Sequence, residues 1–345
     1  MSLPIKPPYP PMDALAVLEV PAGPEWQYEP KWDGFRCLAF RDGHHAELQS
    51  KAGQPLARYF PETVEALLRL KPSRFVLDGE LVIPQGDHLS FDDLLMRIHP
   101  AASRVQKLSR ETPSLFIVFD LLVEDDGTLL AKETLAKRRT ALERFCGRYV
   151  RDHSRIQLSP ATRRLGEARR WFTTKAGLDG VIAKRLDCAY ESGERSGAVQ
   201  KIKKARTADC VVGGFRFTSK KREAGSLLLG LYDQHRRLNH VGFTSSMHQE
   251  DRPALTKKLE KLIEPPGFTG SAPGGPSRWS TKRSAEWQPL APKLVVEVQY
   301  DHFTGGRFRH GTKFLRWRPD KAPEQCTLAQ VERESRTPLP ALVDV

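Results

Sequence analysis

A lysine, an aspartate, a glycine and an arginine stand close together near the start of the chain, in the pattern Lys31-x-Asp33-Gly34-x-Arg36. A lysine amine becomes a nucleophile when neighbouring cations or metal ions keep it unprotonated. Asp33 suits orienting a site or holding a metal, Gly34 lets the backbone approach a ligand, and Arg36 offers a planar fork to phosphate. The same pattern also suits an ordinary charged turn between strands, so other segments must distinguish the two interpretations.

The charge of the chain favours a polyanionic partner. Its 345 residues include 55 Lys and Arg against 42 Asp and Glu, which gives a formal net charge of +13. Such a surplus points to nucleic acid first and to an anionic membrane second, although it also serves solubility. With 39% hydrophobic residues, the chain is apolar enough to form real cores.

The cysteines and the N-terminus favour a cytoplasmic location. Five isolated cysteines without a Cys-x-x-Cys pair argue against a zinc ribbon or a disulfide framework. The proline-rich start lacks the apolar core of a signal peptide, and no run approaches the roughly 18 apolar residues of a membrane span. We therefore expect a cytoplasmic protein that does not need a membrane.

Hydrophobic periodicity predicts an α+β chain of two domains, residues 1–205 and 206–345. In the first we expect helices and strands in alternation, with strands in 27–50, 75–83, 115–123, 177–184 and 199–204 and helices at 61–70, 131–148 and 161–176. The second has short predicted strands and a helix near 251–264, which suits a small Greek-key barrel. Those strands are 210–217, 226–233, 238–243, 294–300 and 313–318. Residues 265–286 are rich in Gly, Pro and Ser and predict a long connection.

Five further segments carry groups that suit nucleotide or metal chemistry. They are Gln49-Ser-Lys-Ala-Gly53, Asp78-Gly-Glu80, Phe119-Asp120, Asp179-Gly-Val-Ile-Ala-Lys184, and Lys201-Ile-Lys203 taken with Phe314-Leu-Arg-Trp-Arg-Pro-Asp-Lys321. Each also has an ordinary explanation, such as a turn lysine, an acidic strand end, a core phenylalanine or a solvated basic strand. Alternation along a strand places Lys201 and Lys203 on one face, where both can neutralise charge on a phosphate.

Together with the first motif, these segments resemble the ATP-dependent DNA ligases, within the covalent nucleotidyltransferase superfamily, over about residues 28–327. The resemblance implies a nucleotidyltransferase domain of ATP-grasp-like antiparallel sheets and helices, followed by an OB-fold barrel. It implies that Lys31 takes AMP from ATP, that AMP passes to the 5′-phosphate of nicked double-stranded DNA, and that the 3′-hydroxyl then seals the strand. The length suits a small stand-alone type, and the resemblance implies a bacterial enzyme similar to the mycobacterial-like accessory ligases, with a role in repair and a location at the nucleoid.

The resemblance also implies a role for each matched residue of the first domain. Glu29 would recognise the adenine amino group, Phe119 would stack on the base, and Arg36 would contact the ribose or the nick phosphate. Lys201 and Lys203 would act on the α-phosphate. A tryptophan often found just before this lysine pair in the family is absent here.

Metal ions and the remaining phosphates also have implied partners. Mg²⁺ or Mn²⁺ would bind at the carboxylates of Asp33, Glu80 and Asp179, and Glu80 alternatively binds the ribose. Asp179 stands where the family usually has glutamate, and Lys51, a phosphate contact, stands where it usually has arginine. The barrel-domain motif would close over the β- and γ-phosphates of ATP through Arg316, Arg318, Asp320 and Lys321.

Three alternatives and one false match accompany this interpretation. An RNA ligase and an mRNA capping guanylyltransferase use the same lysine chemistry, and a non-catalytic nucleic-acid binder would use only the barrel and the charge. The segment Gly306–Lys313 has the glycines of a phosphate loop, but Thr312 stands where the lysine must be. We expect a monomer, with a hinge at 204–207 that lets the barrel move between steps.

Overall fold

The computed structural model of the chain describes residues 2–86, 88–150, 155–173, 178–203, 206–219, 221–247, 251–274 and 286–331. The chain is α+β, with five separate sheets and six α-helices among these residues. It divides into two compact units between residues 204 and 205. The first half of the expected hinge, residues 204 and 205, and much of the expected long connection, residues 275–285, lie outside the described part of the chain.

The first unit alternates strands and helices. In chain order these are β1 (Leu15–Ala16), β2 (Trp26–Pro30), β3 (Phe35–Asp42), β4 (His45–Ser50), α1 (Pro61–Arg69), β5 (Arg74–Val82), β6 (Pro84–Gln85), β7 (His88–Leu89), α2 (Phe91–Met96), α3 (Ala102–Glu111), β8 (Leu115–Val123), α4 (Leu135–Tyr149), β9 (Ile156–Leu158), α5 (Leu165–Thr173), β10 (Gly180–Arg185) and β11 (Val199–Lys203).

Two larger sheets organise this unit. One has the strand order β4-β3-β5-β8-β9 and is antiparallel except between β8 and β9. The other has the order β1-β11-β10-β2, in which the short β1 pairs parallel to β11. Ile182 of β10 lies opposite Glu29 of β2 on one side and Lys201 of β11 on the other. The second sheet therefore places Glu29 and Lys201 in one row across its width.

The continuous apolar strand predicted at 115–123 is β8, and every one of its residues is buried. Such a run is stable where both faces of a strand are covered by other elements. Asp120 interrupts the run, and Arg138 of α4 binds both of its carboxylate oxygens, at 2.8 and 3.0 Å. A buried carboxylate needs such a partner, because an unpaired charge in the interior is costly. The buried face of α4 includes Leu142 and Phe145, as its periodicity predicts.

The second unit is dominated by one sheet with the strand order β14-β13-β12-β16-β19. Its elements are β12 (Arg206–Phe217), β13 (Ala224–Tyr232), β14 (Leu238–Thr244), α6 (Arg252–Glu260), β15 (Gln288–Pro289), β16 (Val295–Tyr300), β17 (Phe303–Thr304), β18 (Arg307–Phe308) and β19 (Lys313–Trp317). The pairs along this sheet are antiparallel, and a parallel bridge between Thr244 and Thr312 links its two edge regions. The strands wrap around a core that includes Phe215, Leu229 and Val296.

Several element boundaries differ from the sequence predictions. The helix predicted at 131–148 begins at Leu135, because the Thr134 hydroxyl accepts a hydrogen bond from the Lys137 amide at 3.4 Å and caps it. The helix predicted at 251–264 ends at Glu260. Helices α2 and α3 were not predicted. Within the described residues, no helix has the length and apolar character that crossing a membrane requires.

Candidate active site

A cavity of about 220 Å³ in the first unit is lined by residues of both larger sheets. The N-terminal segment at Pro11–Ala14 and the loop at Cys188–Tyr190 complete its wall. Seven of the residues singled out in the sequence line it, namely Glu29, Lys31, Arg36, Lys51, Glu80, Phe119 and Lys201. Residues separated by up to 172 positions in the chain therefore meet around one space large enough for a small ligand.

Lys31 lies at the C-terminal end of β2, where the backbone joins it to the start of β10. Its amide donates to the Gly180 carbonyl at 3.0 Å, and its own carbonyl accepts from the Asp179 amide at 2.9 Å. Gly180 has φ = +133°, and a side chain there would meet the Ile202 carbonyl oxygen at 2.0 Å. Glycine at this position therefore lets Asp179 turn towards Lys31, whose Nζ lies 2.6 Å from Asp179 Oδ2. Lys203 Nζ lies 3.9 Å from the same oxygen.

The charges around Lys31 hold its amine in the protonated form. Burial works to lower the pKa of Lys31, but the charge and hydrogen bond of Asp179, helped by Glu80 and Asp33, raise it above the ordinary value. Burial also raises the pKa of the Glu80 carboxyl to about 7. An amine must be neutral to attack an electrophile, so the charges that keep Lys31 protonated oppose its expected role as a nucleophile.

One end of the cavity carries Glu29 and Phe119, the two residues expected to bind a base. Glu29 is buried, with Oε1 accepting from Gln27 Nε2 at 2.9 Å and Oε2 lying 2.8 Å from Lys184 Nζ. The Lys184 ammonium also lies 4.6 Å from the centre of the Phe119 ring. A buried carboxylate acceptor therefore lies near an aromatic ring. A nucleobase needs both groups, the carboxylate for a hydrogen bond and the ring for stacking.

Arg36 is held by a buried acid at the back of the cavity. Its Nε and NH2 atoms donate to the two oxygens of Asp78, at 2.6 and 2.5 Å, and its guanidinium lies 4.6 Å from the centre of the Phe119 ring. The Tyr190 hydroxyl donates to Asp78 at 2.7 Å and accepts from the Met12 amide at 3.0 Å. This network fixes the planar fork of Arg36 beside Phe119.

A cluster of cations lies at the side of the cavity where Lys201 projects. Lys51 Nζ lies 2.5 Å from Asp13 Oδ1, and Arg195 NH2 lies 3.0 Å from Asp13 Oδ2. Burial, followed by the charges of Lys51, Lys31 and Arg195, lowers the pKa of Lys201. Several positive groups close enough to repel one another form a favourable environment for an anion such as a phosphate.

The three carboxylates expected to bind metal lie around Lys31 but do not form a ready-made cage. The charges of Glu80 and Asp33 both act on Lys31, and Asp179 binds it directly. In the parts of the chain that the structure covers, no three His, Cys, Asp or Glu side chains are grouped closely enough to hold a metal ion. Metal binding at Asp33, Glu80 and Asp179 therefore stays a prediction.

Of the four expected phosphate contacts of the second unit, the three cations are paired with nearby acids, and the fourth, Asp320, is one of those acids. Arg318 NH1 and Lys321 Nζ bind the two oxygens of Asp209, at 2.8 and 2.6 Å. Arg318 also binds Asp320, and Arg316 Nε lies 2.6 Å from Glu297. These side chains form one mixed-charge group on β12, β16 and the end of β19.

Sequence reasoning missed several residues of the cavity. Lys184 and Asp78 belong to motifs that the sequence analysis quoted. Both are buried on strands, and a charged residue within a predicted strand was the signal that could have identified them. Asp13 and Tyr190 lie in irregular segments, far in sequence from the residues that they contact, and had no comparable signal.

The chain matches two models of one enzyme family. The ATP dependent DNA ligase domain matches residues 13–203, and the ATP dependent DNA ligase C terminal region matches residues 220–321. The chain is 44% identical to DNA ligase C2 of Mycolicibacterium smegmatis and 41% identical to DNA ligase C of Mycobacterium tuberculosis. Each comparison covers 96% of this chain and 96% of the relative.

Solved structures of low sequence identity share the fold. A structure of the Lig E DNA ligases superposes with a TM-score of 0.54 at 17% identity, over 89% of this chain and 99% of that chain. The structure named Pmar-Lig_PreS3 superposes with a TM-score of 0.58 at 17% identity, over 85% of this chain and 63% of that chain. At this identity the likeness concerns the fold.

Proposed function

Because the chain belongs to the ATP-dependent DNA ligases, we propose that it seals nicks in double-stranded DNA through an AMP group carried on Lys31. The observation that carries the proposal is the position of Lys31 in a cavity that also contains Glu29, Phe119 and Lys201. A nucleophile, a base acceptor, an aromatic ring and a phosphate-binding cation are the groups that transfer of a nucleotide to an amine requires.

In the first step, the Lys31 amine attacks the α-phosphorus of ATP, the bond to the β-phosphate oxygen breaks, and pyrophosphate leaves. Before the attack the amine gives up its proton to solvent, a loss that the ion pair with Asp179 opposes because it stabilises the charged form. Lys201 and Lys203 neutralise the charge that develops on the α-phosphate oxygens. Glu29 accepts from the adenine amino group and Phe119 stacks on the ring.

The donor set suits a divalent cation that takes oxygen ligands. Mg²⁺ is commonly held by one or two carboxylates together with substrate phosphates, so we propose that two of the three carboxylates Asp33, Glu80 and Asp179 would hold it with the phosphates of ATP. Glu80 is a largely enclosed carboxylate whose pKa burial raises to about 7, and a bound cation would compensate its charge. When bound, Mg²⁺ or Mn²⁺ would act as a Lewis acid on the phosphate oxygens.

In the later steps, the 5′-phosphate of a nick takes AMP from Lys31, and the 3′-hydroxyl then attacks that phosphate and releases AMP. The net charge of +13 supports phosphate-backbone binding without base readout. We assign the first unit to a nucleotidyltransferase domain and the second to an OB-fold domain. The antiparallel sheet of the second unit, with the bridge between Thr244 and Thr312, supports the OB-fold assignment.

In the second unit, Arg316, Arg318, Asp320 and Lys321 are proposed to contact the β- and γ-phosphates of ATP during the first step. In the structure, Asp209 binds Arg318 and Lys321, and Glu297 binds Arg316, so a nucleotide would compete with these acids for the three cations. We further propose that the enzyme acts as a monomer in DNA repair.

A labelling experiment tests the proposed function and distinguishes it from the three alternative functions. The full chain is incubated with Mg²⁺ or Mn²⁺ and α-labelled ATP or GTP, and is then chased with nicked DNA or nicked RNA. We expect label from ATP that nicked DNA removes as it is sealed. Label from GTP in place of ATP would indicate a capping-type enzyme. Removal of the label by nicked RNA alone would indicate an RNA ligase, and absence of any label would indicate a non-catalytic binder.

A further inference from the structure

We propose that the carboxylate of Asp13 is an internal stand-in for a phosphate group, which holds Lys51 and Arg195 in place until a phosphate replaces it. The inference rests on the proposed function, because it takes this cavity to be the phosphate-binding site. Asp13 belongs to the proline-rich lead-in, residues 2–14, which precedes β1, and neither its sequence position nor the ligase motifs single it out.

The geometry of the carboxylate resembles that of a bound anion. Each of its two oxygens binds a different cation, Lys51 at 2.5 Å and Arg195 at 3.0 Å. Asp13 and Lys51 both line the main cavity, as does Lys201. Asp13 is the acidic group that partly offsets the repulsion which Lys51, Lys31 and Arg195 exert on Lys201. One carboxylate therefore bridges two of the cations that act on Lys201, in surroundings that otherwise favour a phosphate.

The backbone holds Asp13 at this place independently of its charge. Its amide donates to the Glu194 carbonyl at 2.8 Å, and the neighbouring Met12 amide donates to the Tyr190 hydroxyl. Two residues further on, β1 pairs with β11, the strand that carries Lys201. The lead-in is therefore fastened to the loop at Glu191–Arg195 and to β11, so a neutral side chain at position 13 should keep the same backbone.

The ion pairs of Asp13 are easily exchanged. The side chains of Lys51 and Arg195 are 55% and 57% exposed, and ion pairs between such exposed groups add little stability. A phosphate with two charges would attract both cations more strongly than a single carboxylate does. Asp13 is thus a positioning residue: it keeps two flexible side chains oriented towards the cavity and yields them to the substrate.

The test measures phosphate affinity directly, without any need for catalysis. The binding of inorganic pyrophosphate to the full chain is measured by calorimetry for the wild type and for Asp13→Asn, with the unfolding temperature of each. Removal of the competing carboxylate should tighten binding by about three- to fivefold, as expected for loss of an exposed pair, at an unchanged unfolding temperature. A second arm compares binding of nicked DNA with a 5′-phosphate or a 5′-hydroxyl.

A gain in affinity for pyrophosphate assigns the site to the ATP phosphates. A gain in affinity confined to nicks with a 5′-phosphate assigns the site to the nick. The matched control is Glu194→Gln, which removes an exposed acid beside Arg195 that makes no ion pair with it in the described structure. The gain should also vanish in Asp13→Asn combined with Lys51→Ala. Asp13→Ser serves the same purpose if Asp13→Asn does not fold.

Unchanged or weaker binding in both arms, or an equal gain in Glu194→Gln, overturns the inference. Failure of the proposed function is a separate observation, because it would appear as the absence of AMP on Lys31 in the wild type.

Discussion

The Nζ atom of Lys31 lies 2.6 Å from Oδ2 of Asp179, and the backbones of the two residues are joined by a hydrogen bond. The proposed nucleophile is therefore paired with a residue that we also propose as a metal ligand. A cation bound to Asp179 would compete with Lys31 for the carboxylate, so metal binding and release of the amine are expected to be linked.

Replacement of Asp179 should change how much metal the first step requires. Asp179→Ala removes a proposed oxygen ligand, so we expect the Mg²⁺ concentration for half-maximal formation of lysyl-AMP to rise at least about tenfold. Asp179→Glu keeps a carboxylate and should retain most of the metal affinity. The measurement is a Mg²⁺ titration of single-turnover labelling, and an unchanged half-maximal concentration in Asp179→Ala would remove this residue from the metal site.

Loss of the Tyr190 hydroxyl should weaken the network that fixes Arg36. Tyr190→Phe takes one donor from the buried Asp78 carboxylate and leaves the Met12 amide without its acceptor. We expect unfolding to become easier by about 1–3 kcal/mol and the half-saturating ATP concentration to rise. Tyr9→Phe is the control, because the Tyr9 ring stacks on Tyr190 while its hydroxyl makes no described hydrogen bond. Equal effects of both variants would contradict the network.

Lys321 should matter for the first step and not for the sealing of DNA that already carries AMP. Lys321→Ala removes a proposed contact to the β- and γ-phosphates, which are absent after pyrophosphate leaves. We expect lysyl-AMP formation to slow by roughly 100-fold, with sealing of a pre-adenylylated nick little changed. Lys313→Ala removes an exposed lysine of β19 and should leave lysyl-AMP formation unchanged. A comparable loss in sealing by Lys321→Ala would place its role elsewhere.

The stability of the second unit should fall in mild acid because of His240. Burial, followed by the charges of Arg307 and Arg216, lowers the pKa of this histidine from 6.5 to about 4. The unfolded chain therefore binds a proton more readily than the folded one between these values, and folding is favoured above pH 6.5. Between pH 7.5 and 5, we expect His240 to account for a loss of about 2 kcal/mol in unfolding free energy.

Urea unfolding at the two pH values tests this assignment. His240→Met has a side chain that does not titrate and should flatten the pH dependence, whereas His235→Asn, at an exposed turn histidine, should not. A pH dependence that persists in His240→Met would assign the loss of stability to other groups.

The strands that carry the chemistry were predictable because their signals are local. The apolar run of β8 and the alternation in β11 require no knowledge of distant residues. Of the two lysines that the alternation places on one face, Lys201 lines the cavity, whereas Lys203 lies outside its lining, 3.9 Å from Asp179. Helix α3 was missed because it is strongly polar and buries just Val105 and Ser109, so it has a weak apolar stripe. Helix α2 spans six residues, which is too short for a clear period.

The parts of the site that sequence reasoning missed depend on long-range contacts. Tyr190 and Asp78 are 112 positions apart, and nothing in the residues around Tyr190 indicates that its hydroxyl reaches a buried carboxylate. Asp13 meets Lys51 because β1 and the lead-in dock on β11, a parallel pairing between two short segments. Such pairings are set by the packing of the whole unit, and a local pattern does not specify them.

The central claim is that Lys31 carries the nucleotide, and peptide mapping tests it most directly. The full chain is incubated with ATP and Mg²⁺, digested, and analysed by tandem mass spectrometry to locate AMP. We predict AMP on Lys31 in the wild type, its removal by nicked DNA or by pyrophosphate, and its absence from Lys31→Ala. AMP on another lysine, or an unchanged amount of covalent AMP in Lys31→Ala, would contradict the account.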